Sequence, residues 1–138
     1  KKYKNIPFIV MNADLLTKLD FSELLEFHKK NKSTATVCVR DFNYKIPYGV
    51  IKSKKNVLQS IEEKPKINHF VSAGIYILNY SVIKKIKKNQ FLNMPTLIQH
   101  LINNKRKIFT FPIYEYWNDI GRFINLKKAK IDIQRGSY

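Results

Sequence analysis

The sequence predicts an α/β fold whose mixed, mainly parallel sheet carries an inserted antiparallel hairpin. Three observations lead to this prediction. The continuous apolar run at residues 6–11 is typical of a strand covered on both faces. Strand-like and helix-like segments then alternate along the chain, which is the order of an α/β domain. The polar residues 53–56 separate two strand-like segments, as the turn of a hairpin does.

The elements follow in order. Asp20 with Glu23 three residues later has the spacing of a capping box, which predicts a helix to about Asn31. Ser81 is expected to cap a short basic helix, Pro95 fits the first turn of another, and a last helix starts near Arg122. Strands are predicted at residues 34–40, 48–52, 57–61, 71–78 and 107–112. The expected inward side chains are Leu97, Ile98, Leu101 and Ile102 in the third helix, and Phe123, Leu126 and Ile133 in the last.

Length and composition predict a single domain over residues 1–138, with no linker and no internal repeat. A chain of 138 residues with 44% hydrophobic content can bury a core, so a disordered tail is excluded. The single cysteine, Cys38, excludes an internal disulfide and is expected to be a small buried hydrophobe. His28 lies on the apolar edge of its helix and is expected to pack there. The apolar run is far shorter than the ~20 residues of a membrane span, and a cytoplasmic protein is expected.

The charge is strongly positive: 26 Lys and Arg against 10 Asp and Glu give a net charge of +16. Such an excess raises the question of a polyanionic partner. The lysines are scattered along the whole chain, however, and solvated faces or a phosphorylated substrate explain them as well as a nucleic acid does. Charge alone leaves the class of partner open.

Candidate site residues lie where a sheet of this class binds ligands, beyond its strand ends. Asp14 follows the first strand and Asp119 follows the aromatic stretch 114–117, so two carboxylates from distant segments could hold a divalent cation. Pro65 breaks a strand after Glu63 and Lys64, which are suited to sugar hydroxyls and phosphate. Gly49 would let a ligand pass close to the backbone. Each of these features alone is also typical of an ordinary loop.

Five motifs in one order make the signal specific: NADLL, YGVI, EEKP, SAGIYIL and WNDIGR. Together they resemble the nucleotidyltransferase family that makes nucleotide sugars, in particular its mannose-1-phosphate guanylyltransferase-like members. The resemblance runs from about Ile6 to Ala129. It implies a partial Rossmann-like fold that corresponds to the C-terminal part of the catalytic domain. The family's glycine-rich triphosphate loop would then lie upstream, with the N-terminal half absent here.

The resemblance also implies roles, residue by residue. Asp14 and Asp119 match the two metal-binding aspartates, which implies Mg²⁺ as the cofactor. Glu63 and Lys64 match the residues that hold the sugar and its phosphate, whereas Gly49, Ser72 and Ala73 lie beside the sugar. The catalytic set is thus Asp14, Asp119 and Lys64. Two departures stand out, since Ala13 replaces the usual glycine and Ser72 replaces the usual asparagine.

The function implied is transfer of a nucleotidyl group, GTP favoured, to a sugar-1-phosphate such as mannose-1-phosphate, with release of pyrophosphate. We expect the 138 residues alone to be inactive. The alternative is a sugar-phosphate-binding or assembly module without catalysis, and nucleic-acid binding ranks below both. An exposed sheet edge would also allow a homo-oligomer.

Overall fold

The computed structural model describes Lys4 and residues 6–138. The described residues form two compact units: a large unit up to Val39 and from Ser72 onward, and a hairpin unit, Arg40–Val71. The strands are β1 Phe8–Met11, β2 Leu15–Thr17, β3 Ala35–Lys45, β4 Val50–Lys54, β5 Val57–Glu62, β6 Lys66–Leu78, β7 Ile108–Pro112 and β8 Trp117–Asp119. The helices are α1 Phe21–Lys30, α2 Tyr80–Ile83, α3 Met94–Asn103 and α4 Phe123–Gln134.

The main sheet is mixed, as predicted, with the strand order β1-β6-β3-β7. Strand β1 runs antiparallel to β6, with Phe8 opposite Leu78. Strand β3 runs parallel to β7, with Ala35 opposite Ile108. In the hairpin unit, β4 and β5 pair antiparallel with a bulge at Lys52, which confirms the predicted hairpin.

The core of the large unit forms two clusters. Leu24 of α1 packs with Cys38, Ile75 and Ile77. Leu97 and Leu101 of α3 pack instead with Leu78 and Ala35. Neighbouring residues of a strand point to opposite faces, so Ile77 and Leu78 lie on opposite faces of the sheet. Helix α1 therefore packs on the face of Ile77, and α3 packs on the face of Leu78. Among the described residues, no helix is long and apolar enough to cross a membrane.

The two residues expected to be structural are confirmed as such. The His28 ring is buried between the Thr36 hydroxyl, 2.8 Å from Nδ1, and Asn79 Oδ1, 3.0 Å from Nε2. Cys38 is fully buried. Burial, followed by the negative charge of Glu115, raises the pKa of the Cys38 thiol to about 12. The thiol is therefore protonated at neutral pH and is unsuited to nucleophilic chemistry.

Helix starts were predicted with mixed success. The Asp20 carboxylate accepts hydrogen bonds from the Ser22 and Glu23 amides, which confirms the first cap. Pro95 lies in the first turn of α3, also as predicted. The prediction that Ser81 caps α2 is wrong, because Asn79 takes that position and Ser81 lies inside the helix.

Some expected buried side chains are exposed. Ile102 is 50% exposed, Phe123 70% and Ile133 51%. In α4 Ala129 is the buried residue, and the bulky apolar side chains of Phe123 and Ile133 lie outside the buried contact. Strands β3 and β6 are also longer than predicted, since their outer ends carry exposed residues without an apolar pattern.

Candidate active site

A short strand pair that the sequence did not predict brings two distant segments of the large unit together. Strands β2 and β8 pair antiparallel, with Leu15 opposite Asp119 and Thr17 opposite Trp117. The Ile120 amide donates a hydrogen bond of 2.8 Å to the Asp14 carbonyl and extends the pairing by one step. Asp14, in the turn before β2, thereby becomes a neighbour of Asp119 at the end of β8.

The side chains of Asp14 and Asp119, called the carboxylate pair below, meet over Gly121. A Cβ atom built on Gly121 would lie 2.5 Å from Asp14 Oδ2 and 3.2 Å from Asp119 Oδ1. The Gly121 amide donates a hydrogen bond of 2.9 Å to Asp119 Oδ1. The two carboxylate oxygens therefore occupy space that only a glycine leaves open at this position.

The carboxylate pair fits a hard divalent cation. Both groups offer oxygen ligands close to one point, the Cβ position of Gly121. No group of three or more His, Cys, Asp or Glu side chains that could hold a metal occurs in the part of the chain that the structure describes. Mg²⁺ is commonly bound by one or two carboxylates and completes its octahedron with water and substrate phosphates, so a pair is a sufficient protein contribution.

Two hydrogen bonds connect the Ser72–Gly74 segment of β6 to the chain segments that carry Asp14 and Asp119. The Trp117 indole Nε1 donates a hydrogen bond of 2.9 Å to the Ala73 carbonyl. The backbone N–H of Asn12 donates one of 2.9 Å to the Gly74 carbonyl. Asn12 precedes Asp14 by two residues and Trp117 precedes Asp119 by two. Within the large unit, these hydrogen bonds connect Ala73 and Gly74 to the two chain segments that carry the aspartates.

Gly74 and Ser72 are shaped by close neighbours. Gly74 has a φ of +71°, and a Cβ there would lie 2.8 Å from Asn12 Nδ2, so the Asn12 side chain approaches the backbone closely at this glycine. The exposed Ser72 shares a hydrogen bond of 2.8 Å between its hydroxyl and the Tyr76 hydroxyl. The Ser72 hydroxyl therefore has a fixed partner on its own strand.

The hairpin unit holds the remaining candidates in one place. Glu63, Lys64 and Pro65 form the turn between β5 and β6. The Lys64 amide donates a hydrogen bond of 3.2 Å to the Tyr48 carbonyl, and Glu63 Oε2 lies 3.1 Å from the Cβ position of Gly49. The structure thus brings Gly49, Glu63 and Lys64 together within the hairpin unit.

Lys64 is held in an unusual backbone conformation. Its φ is +47°, in the left-handed region that a side chain disfavours, and it precedes a proline. Its ammonium Nζ lies 3.6 Å from Glu63 Oε1, and both side chains are largely exposed. A pair this exposed adds little stability. The ammonium therefore remains available to an anionic ligand.

Sequence reasoning missed three residues of these sites: Gly121, Trp117 and Tyr76. Gly121 had a local signal, because it is the glycine of the Asp-x-Gly motif that contains Asp119. Trp117 and Tyr76 had no local signal. The hydrogen bond from Trp117 to Ala73 depends on how the chain places β8 beside β6, and the one between Tyr76 and Ser72 depends on the course of strand β6.

Residues 1–136 match the family described as Nucleotidyl transferase. The chain belongs to this family. Among curated relatives, a glucose-1-phosphate adenylyltransferase of Clostridium botulinum is 28% identical over 95% of this chain and 39% of its own length. Mannose-1-phosphate guanyltransferases of Candida glabrata and Pichia angusta are 32% and 33% identical, each over 88% of this chain and 35% and 34% of their own lengths.

Solved structures share the fold of this nucleotidyl transferase chain. A UDP-glucose pyrophosphorylase from Acinetobacter baumanii superposes with a TM-score of 0.61 at 17% identity, covering 93% of this chain and 50% of its own. HddC from Yersinia pseudotuberculosis gives a TM-score of 0.60 at 23% identity, covering 89% and 53%. The chain thus spans about half of these structures and little more than a third of the curated relatives.

Proposed function

We propose that this chain is part of a sugar-1-phosphate nucleotidyltransferase. A phosphate oxygen of the sugar-1-phosphate attacks the α-phosphorus of a nucleoside triphosphate, and the bond from that phosphorus to the oxygen bridging to the β-phosphate breaks. Pyrophosphate leaves with the electron pair and a nucleoside-diphosphate sugar forms. No covalent intermediate with the protein is needed, which agrees with a thiol held protonated by burial.

The carboxylate pair over Gly121 supports this proposal most directly. We propose that Asp14 and Asp119 would hold Mg²⁺ there. When bound, Mg²⁺ offsets negative charge on the reacting phosphates. The Gly121 amide orients Asp119 by its hydrogen bond to Oδ1. The pairing of β2 with β8 holds the two carboxylates at a set spacing before any substrate arrives.

The other candidate residues are proposed to bind the sugar-1-phosphate. Lys64 offers a charge-assisted hydrogen bond to its phosphate, and Glu63 accepts hydrogen bonds from sugar hydroxyls. Gly49 lets the sugar approach the backbone. Ser72 and Ala73 line the sugar from strand β6, and the bond from the Ser72 hydroxyl to Tyr76 shortens its reach relative to an asparagine amide.

For specificity we propose GTP and a mannose-1-phosphate-like sugar as the first pair to test. The two relatives above 30% identity that are named here are both named mannose-1-phosphate guanyltransferase. The competing pair is ATP with glucose-1-phosphate, after the relatives at 28% identity that are named adenylyltransferases.

The test is pyrophosphate release with Mg²⁺, across the four ribonucleoside triphosphates and dTTP, against a panel of hexose- and heptose-1-phosphates. The longest reading frame that contains this chain is assayed, with the 138-residue chain beside it. We expect release by the longer protein with one dominant pair. We expect none by the 138 residues, whose sequence holds no glycine-rich loop for the triphosphate. Sugar-phosphate binding without release by the folded longer protein would instead establish a binding module.

A further inference from the structure

A cavity of about 550 Å³ lies in the large unit, away from the carboxylate pair. It is bounded by α2, by residues 85–92, by α3 and by the turn that follows α3. Neither Asp14, Asp119 nor any residue of the Ser72–Gly74 segment lines it. Its size is within the range of pockets that hold small organic ligands.

The charge around this cavity has one sign. Its charged lining residues are Lys85, Lys87 and Arg106, and no acidic side chain lines it. From Lys64 to Tyr114 the sequence holds no Asp or Glu but nine Lys or Arg residues. The structure gives none of the three lining cations a carboxylate partner among the described residues. A site with three unneutralised cations attracts an anion.

The floor of the cavity is apolar, and neutral polar groups stand beside the cations. Leu97 and Leu101 are buried beneath it, and Ile86 lies half-buried at its side. Thr34 and Ser81 contribute hydroxyl groups, and Asn104 an amide whose Nδ2 already donates to the His100 carbonyl at 2.8 Å. A bare inorganic anion would leave the apolar floor uncovered.

We propose that this cavity binds a small organic phosphate, with the phosphate on Lys85, Lys87 and Arg106 and an apolar or aromatic body over Leu97 and Leu101. A phosphate offers acceptor oxygens to several cations at once, and a ring buries apolar area that water otherwise covers. The proposal does not depend on the nucleotidyltransferase activity, because it concerns different residues and a different ligand position.

The test uses phenyl phosphate as the probe. It is titrated into the ¹⁵N-labelled protein encoded by the longest reading frame that contains this chain, and the amide shifts are followed. We expect saturable binding with the largest shifts in residues 81–92 and 97–106 and little change at Asp14 and Asp119. Inorganic phosphate should bind about tenfold or more weakly, because it lacks a ring to bury.

Matched variants assign the binding to the cavity. The triple variant Lys85→Gln, Lys87→Gln, Arg106→Gln should weaken phenyl phosphate binding about tenfold or more, because the phosphate loses its charge-assisted partners. The control Lys128→Gln, Lys130→Gln, Arg135→Gln removes the same charge from exposed positions of α4 and its end. It should change the affinity for phenyl phosphate less than about twofold, because salt screens the interaction between these exposed charges and the cavity.

Several results would overturn the proposal. Equal weakening by both triples, or shifts spread over lysines of the whole chain, would mean that the net charge alone attracts the probe. Equal affinity for inorganic phosphate and phenyl phosphate would show that Leu97 and Leu101 do not bind the ring of the ligand. This comparison needs no variant. Displacement of phenyl phosphate by a short RNA at lower concentration, through the same three residues, would assign the surface to nucleic acid instead.

Discussion

Asp14 Oδ2 lies 2.5 Å from the point where a Cβ atom on Gly121 would stand. This contact exists because Leu15 pairs with Asp119 and so draws the turn of Asp14 onto the end of β8. Gly121 thus contributes to the site because it has no side chain that would occupy the space of Asp14 Oδ2. The backbone amide of the same residue holds Asp119, so one glycine both orients Asp119 and leaves room for Asp14.

Asp119→Asn should abolish most of the proposed activity and leave the fold intact. The asparagine oxygen can still accept the hydrogen bond from the Gly121 amide, but the charge that holds Mg²⁺ is lost. We expect kcat for pyrophosphate release to fall about 100-fold or more, a loss typical of removing one electrostatic contact to the transition state. The assay is run on the longest reading frame that contains the chain.

The control for that variant is Glu26→Gln, an exposed carboxylate on α1 of the same unit. It should keep kcat within about twofold, since a distant surface charge is screened. Near-normal turnover by Asp119→Asn would remove Asp119 from the proposed metal site.

Gly121→Ala should raise the Mg²⁺ concentration needed for half-maximal activity. The added methyl group meets Asp14 Oδ2 and Asp119 Oδ1 at distances that force at least one carboxylate to move. We expect a rise of about tenfold, because a displaced ligand loses part of its bond to the metal. Mn²⁺ binding followed by electron paramagnetic resonance measures the same effect without turnover.

Gly136→Ala is the matched control for Gly121→Ala. A Cβ at Gly136 meets nothing within 4 Å, and the φ of +66° there costs roughly 1 kcal/mol of folding free energy for a non-glycine residue. Its metal requirement should be unchanged despite the lower stability. If both variants needed a similar Mg²⁺ concentration for half-maximal activity, the added methyl group at residue 121 would not displace a metal ligand, and the prediction for Gly121→Ala would be wrong.

Lys64→Gly should increase stability and impair substrate binding in the same variant. The φ of +47° costs a side chain free energy that glycine avoids, and the gain is partly offset by the freer unfolded chain. We expect a net gain of roughly 0.5 kcal/mol in the free energy of unfolding by urea. The KM for the sugar-1-phosphate should rise about tenfold, because a charge-assisted hydrogen bond is lost.

Lys55→Gly controls for the backbone part of that effect. Lys55 lies in the turn between β4 and β5, also with a φ of +47°, and is exposed. It should gain similar stability without any change in KM. If Lys55→Gly raised KM as much as Lys64→Gly, the loss would come from the hairpin unit in general and the assignment of Lys64 would fail.

Cys38 should make the chain less stable as the pH rises. Burial raises the pKa of its thiol from 9.0 to about 12, so the unfolded chain loses this proton at a lower pH than the folded chain does. The contribution is fully present below pH 9 and is lost as the pH rises toward about 12. The measurement is urea unfolding at about pH 8 and about pH 10, beside Cys38→Ala. Parallel losses of stability in both proteins would contradict it.

Much of the fold follows from local pattern. The apolar run of β1, the cap at Asp20 and the polar turn of the hairpin are short-range signals, and each element formed where its signal lay. The buried positions of His28 and Cys38 were also readable, because Cys38 lies in an apolar run and His28 lies on the apolar edge of its helix. The outer ends of β3 and β6 were not, since their residues are exposed and show no apolar alternation.

The order of motifs identified the family and its candidate residues, but the chemistry of the site needed the tertiary structure. Strands β2 and β8 have three residues each, too short to stand out in a sequence, and they form only because each supplies the other's hydrogen bonds. The approach of Asp14 to Gly121, the Trp117 bond to Ala73 and the basic cavity beside α3 all depend on such long-range pairing and packing. Residue types are local properties, whereas the distances between them are set by the folded chain as a whole.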